Sequence, residues 1–350
     1  MPGKKNILKD ADKTLYDISR KISFLAVNPI NESREKKRFF SERNYEPQFK
    51  YAPYMTDITK AIDKLSAIKT NRSYMGQIFK QKKEKHINRF LMLKSRGTED
   101  FTKYSIKVYG RPNKMLVRKA KRMMSYEKSK KTEKLTPKEV MEVLKEALRL
   151  YGFNWDVKQK NMAANAAVQQ AKRNVLVKKG KKFSHDFIKR LIVHEIGTHV
   201  LRYENGLMQP YRIFATGFPG YLETEEGLAV VNEEKAGVLS KSTLKTYAGR
   251  AIAVSMAQEK SFREIYKYMR NYFSKDIAWR IAVRAKRGIG DTSQPGGLTK
   301  DYQYLNGYFK VKNYLKKYSM NNLYYGKVSM RHAKMLGKIK DLVEPKYLPK

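Results

Sequence analysis

Apolar residues recur every three or four positions at Leu8, Ala11, Leu15, Ile18, Ile22 and Leu25, the spacing of one buried helix face, and the pattern stops before Asn28-Pro29. The same spacing predicts helices over Ile58–Ile68 and Met75–Leu93, after a polar, turn-prone stretch from Ser41 to Tyr54. Thr136-Pro137-Lys138-Glu139 reads as a capping box with Pro at the first helical position, opening a helix through Val140–Leu150 that closes near Gly152. The period then turns extended. Phe153–Val157 and Ala166–Lys178 read as strands, and Asn174-Val175-Leu176-Val177 is stopped by Lys178-Lys179-Gly180. Ser184 caps the next helix, from His185 to about Tyr203, ended by Asn205-Gly206. A loop from Gly206 to Gly220 precedes a short helix that begins near Thr224 and carries Glu225 to Glu234. Beyond it, Ile252–Met256 and Phe262–Arg284 are helical by spacing, Gly288–Gly297 is a loop and Leu305–Lys317 is mixed. The chain is thus mostly helical with one small sheet in its middle, and it shows no internal repeat.

Composition narrows the class. With 41% apolar and 12% aromatic residues, 350 residues suffice for a buried core. The absence of Cys excludes disulfide scaffolds, thiol nucleophiles and Cys zinc sites. No apolar run approaches the ~18 residues that cross a bilayer, and the N-terminal stretch lacks the apolar core of a secretory signal, so an intracellular, cytoplasmic protein is expected. Seventy-five Lys and Arg against 33 Asp and Glu leave a net charge of +42. A surface so self-repelling suits a polyanionic partner: nucleic acid, an anionic membrane surface or an acidic polypeptide. The cations are densest in Lys80–Lys94, Arg111–Lys134 and Arg331–Lys350, with no nucleic-acid-reading motif beside them, so charge alone predicts salt-sensitive binding without sequence reading.

Chemistry concentrates in His194-Glu195-Ile196-Gly197-Thr198-His199, which holds two of the chain's five His. Two imidazoles at i and i+4 share a helix face and hence a metal; at i and i+5 a regular α-helix holds them about 140° apart. Convergence therefore demands a π-bulge, and Gly197 is the residue that would permit it. A catalytic zinc site needs one more protein ligand and one open position. Glu223, Glu225, Glu226, Glu233 and Glu234 follow closely. Glu226 is favoured because Gly227 lets its helix approach, Glu225 and Glu233 are the fallbacks, and Glu233 and Glu234 otherwise read as solvated. Glu195, beside the first ligand, is placed to take a proton from water attacking a carbonyl. Satisfied core histidines are the competing reading, and His185 reads as a polar residue at the helix start.

These residues resemble a known family, the microtubule-associated tyrosine carboxypeptidases and their bacterial relatives, characterised by a Gln-Glu-Gly-Leu-Ala motif. The resemblance rests on His194–Arg202, Asn205-Gly206, Gln209-Pro210, Gly217–Tyr221 and Thr224–Ala229, with weaker similarity at Arg287-Gly288, Asp291-Thr292, Lys300-Asp301, Tyr304–Gly307 and the first helix. It implies an α+β, zincin-like metallopeptidase with a small, mainly antiparallel sheet before the metal helix. In it His194, His199 and Glu226 match the Zn2+ ligands and Glu195 the catalytic glutamate. Glu225 departs from the motif's Gln. The organisation expected is a basic helical portion over 1–135 and a catalytic portion over 136–350, forming one continuous unit. The family's eukaryotic members act on tubulin tails. An enzyme acting at C-termini must also grip the terminal carboxylate. Arg202 is a candidate, its competing role being to brace the site by pairing with a Glu; Arg287 and Tyr304 are further candidates. An acidic protein tail as substrate reconciles charge with chemistry. The second reading is a nucleic-acid-binding protein with a structural or vestigial metal site.

Overall fold

The computed structural model describes residues 7–126, 134–162 and 165–349, so residues 127–133 of the basic run Arg111–Lys134 lie outside it. The chain divides into two compact units, each built from two separated stretches: Met1–Glu127 with Ser242–Asn306, and Lys128–Lys241 with Gly307–Lys350. Residues 242–306, which sequence reading groups with the C-terminal portion, thus pack with the N-terminal helices. No helix among the described residues is long and apolar enough to cross a membrane.

The first unit is helical. Its opening helix, Ile7–Ser19, stops short of the expected Leu25; a 3₁₀ turn at Phe24–Val27 follows, and Leu25 is 60% exposed. Periodicity misled here because its last two apolar positions, Ile22 and Leu25, fall beyond the helix end at Ser19. A helix the spacing does not announce, Glu32–Ser41, buries only Glu35 and Phe39. Phe39 meets Phe262 edge-on at 5.2 Å, an aromatic contact that anchors an otherwise charged segment. The long helical run expected from Phe262 breaks into Phe262–Arg270, opened by a second capping box of Ser261 and Glu264, and Lys275–Lys286.

The second unit carries the sheet. Thr136 and Glu139 form the expected capping box at the start of the helix Pro137–Arg149. Strands β1 (Lys134–Leu135) and β5 (Phe183–Ser184) pair antiparallel. Strands β2 (Asp156–Lys160), β3 (Ala166–Gln169) and β4 (Asn174–Lys178) form a mixed sheet in the order β2-β4-β3. β3 runs antiparallel to β4 but β2 runs parallel to it, which corrects the mainly antiparallel expectation. Burial explains the order. Val175, Leu176 and Val177 lie in the strand of this sheet that is buried along most of its length and takes the centre, while the more exposed β2 and β3 take the edges. The expected single extended run from Ala166 is broken by a 3₁₀ turn at Gln170–Lys172 and by Arg173 in the left-handed region.

The helix opened by Ser184 runs through three windings without a break: α over His185–Leu191, π over Ile192–Val200 and α over Leu201–Leu207. Asn205-Gly206 therefore does not end it. Asn205 exchanges side-chain hydrogen bonds with the backbone of Tyr347, and a Cβ on Gly206 would lie 2.5 Å from the Phe214 carbonyl oxygen. The pair serves close packing. The acidic helix spans Tyr221–Lys235, starting three residues before the expected Thr224, after Gly220 in the left-handed region. Gly227 does allow a close approach, though to Gly307, whose carbonyl carbon would lie 2.2 Å from an added Cβ. Gly307 meets the Glu223 carbonyl in return.

These contacts predict opposite outcomes for two alanine substitutions. At Gly227 the intruding methyl meets backbone, so Gly227→Ala should destabilise by about 1–3 kcal/mol or more. At Gly197 an added Cβ has only ordinary contact, 3.7 Å from the Ile192 carbonyl oxygen, so Gly197→Ala should stay within about 1 kcal/mol of wild type. Urea denaturation followed by circular dichroism measures both.

Candidate metal centre

The π winding supplies the geometry that spacing alone denies. Leu201 N–H reaches back five residues to the Ile196 carbonyl, and Thr198 Oγ1 donates to the Val193 carbonyl at 3.3 Å. This wide turn brings the His194 and His199 rings to 5.1 Å between centroids, inclined at 75°. Glu226 arrives from the acidic helix, its Oε2 lying 3.8 Å from His194 Nε2. One ligand atom from each of His194, His199 and Glu226 can be chosen so that all lie within 4.8 Å of one another. Glu195 sits half-buried on the same winding, next to His194.

The remaining acids sort by partner. Glu233 Oε1 lies 2.6 Å from His194 Nδ1, and Glu225 Oε1 lies 2.7 Å from His199 Nδ1. Each carboxylate fixes its ring's orientation and leaves Nε2 as the nitrogen available for a metal, a role that outer carboxylates commonly play for metal-bound histidines. Glu233 is fully buried, against the expectation of a solvated residue, and accepts from Arg190 at 3.0 Å. Glu225 accepts from the buried Lys327 at 2.7 Å, with Arg202 Nη1 3.6 Å from its other oxygen. Glu223 pairs with Lys310, and Glu234 with Lys312 and Tyr308. The two sequence fallbacks for the third ligand are thus placed as partners of the imidazoles.

Burial penalises the charged form throughout. Around His194 the hydrogen bond and charge of Glu233, aided by Glu195 and Glu226, outweigh it and raise the imidazole's pKa. Burial would also push Glu225 up, but Lys327, His199 and Arg202 hold its carboxyl far below the usual range. Lys327 is lowered by burial, with Glu225 opposing.

Residues that sequence reading missed hold the winding itself. Tyr324 OH donates to the Gly197 carbonyl at 2.8 Å, and Asn232 Nδ2 donates to Tyr324 OH and to Thr198 Oγ1, each at 2.7 Å. The Gly197 carbonyl thus accepts a buried donor from outside the helix, which fixes the π winding to its neighbours. Only the proximity of Asn232 to Glu233 along the acidic helix hints at its role; Tyr324 and Lys327 carry no periodic signal.

Arg202 is completely buried. Its Nε donates to the Leu323 and Gly326 carbonyls at 2.9 and 3.0 Å, and its Nη2 to Val328 O at 2.5 Å. It pins the segment that delivers Tyr324 and Lys327. Arg287 and Tyr304 belong to the first unit, where Arg287 lies 3.5 Å from Asp301 and Tyr304 stacks on Tyr247.

Two imidazoles and a carboxylate in one cradle, each ring held from behind by an acid, could hold a metal ion. The family model for microtubule-associated tyrosine carboxypeptidases matches residues 37–350, and the chain belongs to that family. Mouse microtubule-associated tyrosine carboxypeptidase 1 is 34% identical over 133 residues, covering 36% of this chain and 27% of the relative. The rat protein of the same name is 32% identical over 159 residues, 43% of this chain and 33% of the relative. The human one is 34% identical over 133 residues, 36% and 27%. The matched regions span about a quarter to a third of these relatives' lengths.

Removing the Tyr324 hydroxyl takes its donor from the Gly197 carbonyl and leaves Asn232 with Thr198 as its one remaining partner in this network. Tyr324→Phe should therefore lower stability by about 1–3 kcal/mol while the aromatic packing survives. A denaturation midpoint equal to wild type would remove this network as the support of the π turn.

Proposed function

We propose that the chain is a zinc metallocarboxypeptidase with a zincin-like catalytic unit, hydrolysing C-terminal residues from acidic protein tails. The observation that carries this reading is the convergence of His194, His199 and Glu226 across a π winding, with Glu195 beside it. Family membership supports a carboxypeptidase, and the relatives' names point to a tubulin-related substrate and a cytoplasmic setting.

His194, His199 and Glu226 would hold the ion. Bound there, zinc supplies polarisation of the scissile carbonyl and acidification of water. The protein's own part is proton traffic and orientation. Glu195 accepts the proton that the attacking water loses and returns it to the departing amine, so one carboxylate serves as base and then acid. Glu233 and Glu225 hold the imidazoles in the tautomer that presents Nε2. Arg202 acts here as a brace: its Nε and Nη2 donate to backbone carbonyls and its Nη1 lies 3.6 Å from Glu225, surroundings that suit support better than grip on a substrate carboxylate.

The large positive charge suits attraction of an acidic tail, which favours encounter more than specificity. The nucleic-acid-binding alternative gains nothing from the family match and leaves the ordered His–carboxylate pairs without a purpose.

Purified protein should carry about one zinc per chain by plasma emission spectroscopy, and Glu195→Gln should keep the zinc while losing at least about a hundredfold in kcat on acidic peptides. A wild-type chain that folds without metal, or a Glu195→Gln chain that still turns over, would contradict the reading. Glu233→Gln should weaken zinc about 10–100-fold, measured by competition with a chromophoric chelator, because the His194 ring loses its charged partner.

A further inference from the structure

The cationic run Arg111–Lys134 takes no part in the metal centre, and its first helix lines a cavity of the first unit. The cavity has a volume of about 310 Å³, with Pro112, Lys114, Val117, Arg118 and Lys121 on one wall and Ser255 on the other. Lys114, Val117, Arg118 and Lys121 stand at i, i+3, i+4 and i+7 of the helix Lys114–Met123 and so form one stripe of its surface. The same helix buries Leu116 and Ala120 in the core, which leaves this stripe to face the cavity. Ser255 lies in the last turn of the helix Lys241–Met256.

Neither wall brings an anion of its own. Residues 110–126 contain Arg111, Lys114, Arg118, Lys119, Lys121 and Arg122 and no Asp or Glu, and the helix Lys241–Met256 has no Asp or Glu either. Among the described residues, no hydrogen bond or ion pair engages the side chains of Lys114, Arg118, Lys121 or Ser255. The carbonyls that end the second helix are already used: Ala253 and Met256 accept from Ala257 and Lys260, and Val254 and Ser255 from the side chain and backbone of Gln258. Like charges four residues apart on a helix repel, a cost that an anion between Lys114 and Arg118 would remove.

We infer that this cavity binds a small molecule carrying two or more phosphate groups, with Lys114, Arg118 and Lys121 on the phosphate oxygens and the Ser255 hydroxyl as a further donor. Lys114 and Lys121 lie roughly 10 Å apart along the helix axis, more than a single phosphate spans. A phosphate group carries about −1.5 to −2 in charge and three acceptor oxygens, so a pair of them matches three cations, whereas a carboxylate leaves most of that charge unmatched. The volume falls at the small end of ligand pockets, and Pro112 and Val117 give the organic part of the molecule an apolar wall. Soluble phosphate esters and lipid headgroups share this chemistry. The inference stands apart from the hydrolytic reading.

The test is isothermal titration calorimetry on the full chain at about 0.15 M salt, where loose surface attraction is screened. The probes are pyrophosphate, adenosine diphosphate and inositol trisphosphate, with citrate as a carboxylate of comparable charge. At least one phosphate probe should saturate at one molecule per chain and bind at least about tenfold more tightly than citrate. Arg118→Gln and Lys121→Gln should each weaken that probe by about tenfold or more, because each removes a charge-assisted donor. Ser255→Ala changes no charge and should still weaken it by about threefold or more, an effect that general attraction to a basic chain would not produce. Lys119→Gln removes the same charge about 100° round the helix from Arg118 and should change affinity by less than about twofold. Thermal melts of all variants verify folding. Sedimentation with phosphatidylcholine vesicles containing phosphatidylinositol bisphosphate, against phosphatidylserine at equal charge, separates the sources: a preference for the bisphosphate that Arg118→Gln removes assigns a lipid headgroup, and no preference assigns a soluble ester. Failure of all three phosphates to saturate, citrate binding as tightly as they do, an unmoved Ser255→Ala affinity, or a loss with Lys119→Gln equal to that with Arg118→Gln would each overturn the inference.

Discussion

Everything in the second unit depends on one helix being wound too loosely. Five residues separate His194 from His199, and an α-helix would aim their rings about 140° apart. Nine π-wound residues bring the rings to 5.1 Å instead. Such a winding is intrinsically poorer than α, so its neighbours must hold it. Tyr324 and Asn232 do so at Gly197 and Thr198, and β3 and the helix Pro137–Arg149 pack against the same nine residues. Because an alanine fits at Gly197, the distortion owes more to this external hold than to glycine's freedom.

The second constraint is electrostatic. Burying Glu225, Glu226 and Glu233 on one helix would be prohibitive if their charges stood unmatched. Glu225 has Lys327 and Arg202; Glu233 has Arg190 and His194. Glu225 and Glu233 each thus link a cation on one side to the Nδ1 of an imidazole on the other. Arg202 connects this arrangement to the chain segment after residue 320 by anchoring three of its carbonyls. Positioning of the rings and tolerance of the buried charge are therefore one problem with one solution.

What the sequence discloses follows from how local each determinant is. The capping box at Thr136, the cap at Ser184 and the His spacing act within a few residues, and all are legible. The nearness of Glu226 to the two imidazoles is legible, yet the pairing of Glu225 and Glu233 with them is not, because it depends on which face of a later helix meets the π turn. Glu32–Ser41 is invisible to periodicity, since long-range aromatic contacts hold a segment with a single apolar anchor. The parallel β2–β4 pairing is likewise a long-range choice, set by the burial of Val175–Val177. Gly206 shows the limit most sharply: a glycine read from sequence as a helix stop is, in three dimensions, a place where two backbones touch, whereas the close approach read at Gly227 is present but its partner, Gly307, is a long-range choice.

The surplus of positive charge gains meaning from where the negative charge sits. Five of the 33 acidic residues fall between Glu223 and Glu234, and a cluster like that would repel an acidic tail if it faced solvent as bare carboxylates. It does not. Glu223 and Glu234 are paired with Lys310 and Lys312 nearer the surface, and Glu225 and Glu233 with Lys327 and Arg190 in the interior. Four of these five acids are thus neutralised in place by neighbouring cations. The acidic substrate proposed above requires that condition, so the cations beside these acids bear on that reading as directly as the acids do.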